Sequence, residues 1–442
     1  MPQTVTRVTV DSASRYQTLT GFGASLAYAE VEVLNHPRRT ALYRAMFAEL
    51  GLDMLRLRNR YGYVADDDLS TSTSVVNAAA ESLGRKPEVI LTSWSPPASL
   101  KASGQLICEG NADTCTLAKL ATGGFDYAGY AAYWRSSLDA YAEVGLIPEY
   151  FGIQNNPDFV PTSAQPGEGC RFLPTEGKLT VPVNGANVAV DYPGLAQATS
   201  AVLDAVAGVA APPKLIAPEG SGVGGISSYL SAMELSKIDL SRVAVIAHHF
   251  YGVDPAAVDL SSLANLGSLG KSMGKPLFQT EMQADGFGTA VLIHHALVTE
   301  GASAYLQGVL AGPTTISGAD ASALITLGAD DFTLEAPYHA MRHYALDTDP
   351  GWVRVGVNSE DPSLLASAWL APDSSGLTAV LVNTGTTAIP SKLELGGFTF
   401  ASTRVTRTVF DGSERSAELG ALATNGVLNV PGRSIVTVAA RN

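Results

Sequence analysis

Between residues 21 and 345, short apolar runs alternate with amphipathic stretches, and that alternation is the strongest constraint on the fold. The runs are GFGAS (21–25), LDMLRLR (52–58), EVILTSW (88–94), EYFGIQN (149–155), PKLIAPE (213–219), VAVIAHHFY (243–251), PLFQTE (276–281) and SAYLQGVL (303–310). Helical patterns such as YAGYAAYWRSSLDAYAEVG (127–145) and PGLAQATSAVLDAVAG (193–208) fall between them. A strand that is apolar throughout is buried on both faces, so helices must cover it and the sheet is parallel. Eight such units predict a (β/α)8 TIM barrel, typically about 250 residues long and longer with insertions. An open doubly wound sheet is the weaker alternative, because eight repeats fill the barrel count.

The flanks differ. TVTRVTVD near the start alternates β-branched residues, and VRVGV, LLASAWLA, LTAVLVN, RVTRTVF, GVLNV and SIVTVAA follow one another between residues 352 and 442, separated by turn residues. Short alternating strands of this kind read as an antiparallel β-sandwich. The expected division is N-terminal strands (1–20) joining the sandwich, a barrel (21–345) and a C-terminal sandwich (346–442). Residues 157–192 form the longest irregular stretch, read as a loop on the barrel's active face.

Charge narrows the partners. The 442 residues carry 28 Lys+Arg against 42 Asp+Glu, a net charge of −14. Nucleic-acid affinity rests on cations neutralising phosphates, so a nucleic-acid partner is not expected, whereas a neutral polysaccharide is compatible. No apolar stretch is long enough for a membrane helix. No signal peptide opens the chain; the expectation is a secreted monomer whose signal has been removed. Cys108 and Cys115 bracket the polar segment CEGNADTC and are expected to close a small disulfide loop, leaving Cys170 free. No ligand spacing for a metal is present, so neither metal nor cofactor is expected.

In a barrel, chemistry sits where strands end. Arg56 and Arg58 end the second run and Trp94 the third. Gln154, Asn155 and Asn156 end the fourth and Glu219 the fifth. His248, His249 and Tyr251 follow the sixth, and Glu281 ends the seventh. Polar groups at such positions are costly unless paired, and their convergence on one mouth points to one site.

GFGAS, LRLRNR (55–60), LTSWSPPASLKASG (91–104), FGIQNNPD (151–158), IAHHFYG (246–252) and FQTEM (278–282), in this order, resemble the motifs of glycoside hydrolase family 30. The resemblance spans essentially the whole chain, sandwich included. It implies a retaining glycosidase with two carboxylates about 5–5.5 Å apart. Glu281 takes the position of the nucleophile. The family's acid/base glutamate, in a QNEP-like motif, falls on Asn156, because this chain reads QNNP. An amide cannot serve as general acid or base, so the chain as written is expected to be impaired on polysaccharide. Either a glutamate has been replaced there, or the protein does without it and Asp158 or Glu219 takes over.

The resemblance also implies supporting roles. Arg56 bonds the nucleophile, Asn155 the sugar 2-hydroxyl, and Trp94 offers a platform for a sugar face. His249 and Tyr251 match the sixth-strand His-x-Tyr, with Tyr251 bonding the nucleophile, while His248 is structural. The eighth run carries Gln307 where members often have Trp, and Tyr305 is the candidate to compensate. The expected substrate is β-1,4-xylan or xylo-oligosaccharide. The sequence MQADGFG after Glu281 lacks the arginine of strictly glucuronate-dependent members. A β-1,6-glucanase or β-1,6-galactanase, or a non-catalytic glycan-binding protein on the same fold, is the alternative. GSGVGG (220–225) formally fits a dinucleotide fingerprint but is read as a loop capping a barrel helix. The pairs His248/His249 and His294/His295 are adjacent in sequence and so diverge on a strand, which argues against metal.

Overall fold

The computed structural model describes residues 5–63, 68–313 and 322–442. Eight parallel strands close a barrel: Gly21–Ser25, Met54–Arg58, Glu88–Thr92, Tyr150–Gly152, Lys214–Gly220, Val243–His249, Leu277–Glu281 and Ala304–Gln307, the last pairing back onto the first. They are numbered one to eight below. Each coincides with one of the apolar runs. The (β/α)8 expectation therefore holds, and GSGVGG lies in the loop between barrel strand five and the helix Ile226–Leu235.

Alternation along each strand sorts side chains into two layers. Met54, Ile90, Tyr150, Ile216, Val245, Phe278, Ala304 and Leu306 fill the barrel interior. Leu55, Leu57, Val89, Leu91, Phe151 and Leu277 face outward into the helical shell. The helix Tyr127–Glu143 shows how the shell is built. Asp126 caps its N-terminus by accepting from the Gly129 amide, and Tyr130, Trp134, Ser137, Leu138 and Tyr141 recur at helical spacing on its buried face.

The appended layer is one curled sheet of nine strands. Its order is Ala417–Gly420, Ser402–Val409, Ser434–Arg441, Gly376–Asn383, Leu364–Leu370, Val353–Ser359, Thr6–Thr18, Ile389–Glu394 and Val427–Val430. Curling brings its inner faces together over Val8, Val355, Leu364, Leu381, Val430 and Val436, giving the sandwich-like core expected. The sheet is antiparallel except where Thr6–Thr9 runs parallel to Ser391–Glu394.

Two details were not anticipated. The strands Ile389–Glu394 and Ala417–Gly420 carry Pro390, Lys392 and Glu418 and too little apolar alternation to be read. The stretch 157–192 is also not irregular throughout. Gly177–Val183 and Ala186–Tyr192 form a hairpin around Asn184–Gly185, a turn pair whose left-handed backbone suits a tight hairpin. Cys108 and Cys115 form a disulfide, and Cys170 is free and buried.

Candidate functional site

Arg56 is the centre of the mouth. It lies on barrel strand two with its side chain turned inward and 0% exposed. One nitrogen, Nη1, donates to Glu281 Oε2 at 2.6 Å. The other, Nη2, donates to Asn155 Oδ1 at 2.7 Å and to Glu219 Oε1 at 3.1 Å. The guanidinium also sits 4.4 Å from the centre of the Trp94 ring. Strand ends two, three, four, five and seven thus meet on one cation. Burying a cation is tolerable only with such compensation.

Glu281 is held from two sides. Tyr251 Oη donates to its Oε1 at 2.6 Å, opposite the Arg56 bond. The pairing between barrel strands six and seven slips by one residue between His248 and His249. A slip of this kind re-aims side chains. The extra residue is Thr280 on strand seven, so the slip bears on Glu281; ordinary alternation separates His248, which bonds Glu300 Oε1 at 2.7 Å, from His249, which lies edge-on to Tyr251. Burial works to raise the Glu281 pKa; His249, Arg56 and the Tyr251 hydroxyl outweigh it and leave the carboxyl below its ordinary value. Burial pushes His249 itself down to about 3. Arg56, a permanent cation, is the counter-charge that keeps Glu281 ionised.

Glu219 behaves differently. It is 0% exposed, and Thr92 Oγ1 donates to its Oε2 at 3.1 Å. Burial raises its pKa despite Arg56. Gly152 on barrel strand four has to be glycine here, since a Cβ would collide with the Glu219 carboxylate. Glu219 is enclosed against Arg56 and Thr92 and does not line the open mouth. Asp158 is spent as well: its two oxygens accept from the Ser221 amide at 2.9 Å and the Ser221 hydroxyl at 2.8 Å. Both carboxylates, Glu219 and Asp158, are thus hydrogen-bonded within the protein.

Asn156 follows barrel strand four with φ 46°, in the left-handed region that Asn tolerates better than most residues. Its amide donates to Glu219 O at 3.1 Å. Its side-chain Oδ1 is buried with no protein partner. The same is true of Gln154 Oε1, Arg56 Nε and both His249 nitrogens. Buried polar atoms in proteins are almost always bonded. These five atoms lie at the same end of the barrel as Glu281.

Tyr305 does not belong to this set. Its neighbours Ala304 and Leu306 point into the barrel, so alternation sends Tyr305 outward, fully buried in the helical shell. It cannot compensate for the absent Trp of the eighth strand. Gln307, two residues on and so on the same parity as Tyr305, donates from Nε2 to Ser322 O at 2.9 Å. Trp94 is placed at the mouth but is only 9% exposed, with the Arg56 guanidinium over its ring.

The structure adds residues that the sequence did not single out. Glu168 accepts from Arg58 Nη1 at 2.6 Å and from Tyr63 Oη at 3.2 Å. Tyr28 lies under the Arg58 guanidinium at 4.1 Å and edge-on to Trp94. Tyr28 has φ 69°, a strained value for an aromatic residue. Glu168 sits on Gly167–Glu168, which pairs with Ile107–Cys108 and so rests on the disulfide loop. Nothing in the spacing of the loop signalled Glu168.

No protein-family model matches the sequence. Solved structures do match over the full chain. A glycoside hydrolase family 30 subfamily 8 xylanase from Clostridium acetobutylicum superposes with a TM-score of 0.73 at 20% identity, covering 99% of this chain and 100% of that one. The catalytic domain of a family 30 xylanase C from Talaromyces cellulolyticus gives 0.74 at 17%, with coverage of 99% and 100%. The fold is that of glycoside hydrolase family 30. An endo-β-1,6-glucanase superposes on the chain with a TM-score of 0.70 at 14% identity, covering 99% of this chain and 94% of its own. Among the described residues, no helix is long and apolar enough to cross a membrane, and no cluster of three or more His, Cys, Asp or Glu is arranged to hold a metal ion.

Proposed function

We propose that the chain is a retaining glycoside hydrolase whose nucleophile is Glu281. The observation that carries this reading is the Glu281 carboxylate, 7% exposed at the mouth, with Arg56 and Tyr251 each 2.6 Å from one of its oxygens. Arg56 keeps the carboxylate ionised, and Tyr251 fixes the orientation of the oxygen that attacks. In the first step a Glu281 oxygen bonds to the anomeric carbon as the glycosidic C–O bond breaks. In the second, water attacks the same carbon and releases Glu281. Asn155, fixed by Arg56, is positioned to bond the sugar 2-hydroxyl. His249 and Trp94 line the same mouth, and Tyr28 adds exposed ring surface beside them.

Each step moves a proton, and Asn156 occupies the position from which it would come. General acid/base assistance contributes about 10²–10⁴-fold. The chain as written therefore hydrolyses activated aryl glycosides, whose leaving groups need little protonation, much faster than glycans. The proposed natural substrate is β-1,4-xylan or xylo-oligosaccharide, in line with the two xylanases of the same fold. A β-1,6-glucan is the runner-up, favoured by the glucanase of that fold. The proposal includes secretion and no cofactor.

The test is a product screen of the Asn156→Glu protein on xylan, β-1,6-glucan and β-1,6-galactan, with azide rescue of the unaltered chain on an aryl xyloside. Gain on one glycan and acceleration by azide are expected. Tight glycan binding with neither effect would make the protein a glycan-binding module instead.

A further inference from the structure

The far end of the barrel holds a cavity of about 740 Å³. It lies between the starts of barrel strands one, seven and eight and the strand Thr6–Thr18 of the curled sheet. Strand seven alone separates it from Glu281 by about 13 Å at strand rise, so it is not part of the mouth. The volume is in the range of small-ligand pockets.

Its charge runs against that of the chain. Arg15, Lys271, Lys275 and Arg354 line it, with Glu300 as the single carboxylate. Glu300 is 2% exposed, with Oε1 bonded to His248 and Oε2 buried without a protein partner. Arg354 is the telling group. It is 8% exposed, and Nε donates to Gln17 Oε1 at 3.0 Å. Among the described residues, no carboxylate lies within 4.0 Å of it. Its guanidinium instead lies 3.8 Å from the centre of the Tyr16 ring. Burial lowers its pKa to about 10. Elsewhere in the interior of this protein, Arg56 and Arg58 have carboxylate partners. A buried cation that faces a cavity with no carboxylate within reach is one that a ligand anion would complete. Tyr16, 49% exposed, supplies apolar ring surface beside it, which a bare inorganic ion would leave unused.

We propose that this cavity is a second carbohydrate site that takes a uronic-acid-bearing oligosaccharide, its carboxylate directed at Arg354, Lys271 and Lys275. The net charge of −14 argues against anionic ligands only on average; this pocket is a local exception.

The experiment is calorimetric titration of the Glu281→Gln protein, which does not turn over. Three probes are used: a glucuronic-acid-substituted xylo-oligosaccharide, the same oligosaccharide without the acid, and inorganic phosphate. The acidic sugar is expected to occupy one more site than the neutral one. That extra site should weaken at least tenfold in Lys271→Gln/Lys275→Gln and in Arg354→Gln, and should weaken with added salt. Lys271→Gln/Lys275→Gln in the otherwise unaltered chain should leave aryl glycoside hydrolysis unchanged. Because the readout is the difference between acidic and neutral sugar, failure of the mouth to bind glycan would not mimic failure here. Equal site numbers for the two sugars, an extra site indifferent to the lysine substitutions, or phosphate binding as tightly as the acidic sugar would each overturn the proposal.

Discussion

The ends of barrel strands four and seven face one another across the mouth and are furnished very differently. Glu281 on strand seven is gripped by Arg56 and Tyr251 and kept ionised by them. Asn156 after strand four is an amide with an unpartnered Oδ1, and the nearby carboxylates Asp158 and Glu219 are hydrogen-bonded elsewhere. In the proposed mechanism the environment of the attacking carboxylate is complete while the position assigned to the proton donor carries no acid. Nucleophile and proton donor are separable features in that proposal: one depends on the strand ends gathered around Arg56, the other on a single side chain.

That comparison breaks most readily at Glu281. Glu281→Gln should lower aryl xyloside kcat by 10⁴-fold or more, an order of magnitude set by loss of covalent catalysis; residual activity within tenfold of the parent would remove Glu281 from the chemistry. Asn156→Glu comes next. It should raise kcat/KM on the natural glycan by about 10²–10⁴-fold and raise it far less on a dinitrophenyl glycoside. Equal gains on both substrates would mean that Asn156 is not opposite the scissile bond.

Arg56→Met tests the network itself. It leaves Glu219 and Glu281 buried without a cation, and loss of one partner of a buried pair costs about 3–5 kcal/mol. Denaturant midpoints should show the loss most strongly above the carboxylate range. A carboxyl depressed in the folded state, as Glu281 is, contributes stability that is complete above its unfolded pKa and lost as pH falls through its folded one. Tyr251→Phe should have a smaller effect. It removes one bond to ionised Glu281, so the acid limb of the kcat/KM profile should move to higher pH, with kcat down about tenfold for a charge-assisted bond of roughly 1.5 kcal/mol. An unmoved limb would assign the pH dependence to another group. Tyr305→Phe should do least. Its hydroxyl is buried without a partner in the helical shell, so kinetics should be unchanged and stability within about 1 kcal/mol; altered KM would return Tyr305 to the mouth.

The barrel was legible because burial on both faces writes continuous apolar runs, and all eight strands fall on such runs. The edge strand Ala417–Gly420 and the strand Ile389–Glu394, one in from the other edge, were not, since a strand exposed on one face needs little apolar residue to hold it. The hairpin around Asn184–Gly185 was written in the sequence as alternation about a turn pair, and was masked by the proline-rich stretch ahead of it. At the mouth, strand-end position pointed to Arg56, Asn155, Trp94, His249, Tyr251 and Glu281, which the structure brings together. Tyr305 was misplaced because outward or inward parity depends on register, and one residue reverses it. Glu168 was illegible for a different reason: its place depends on a loop strand pairing near a disulfide, a contact with no periodicity to announce it.

The central claim is that Glu281 attacks the anomeric carbon although its partner position holds an amide. Intact-protein mass spectrometry after incubation with dinitrophenyl 2-deoxy-2-fluoroxyloside addresses it directly. The expected result is a mass increase of one fluoroxylosyl group, mapped by peptide digestion to Glu281 and absent from Glu281→Gln. No adduct on the unaltered chain, or an adduct that survives Glu281→Gln, would contradict it.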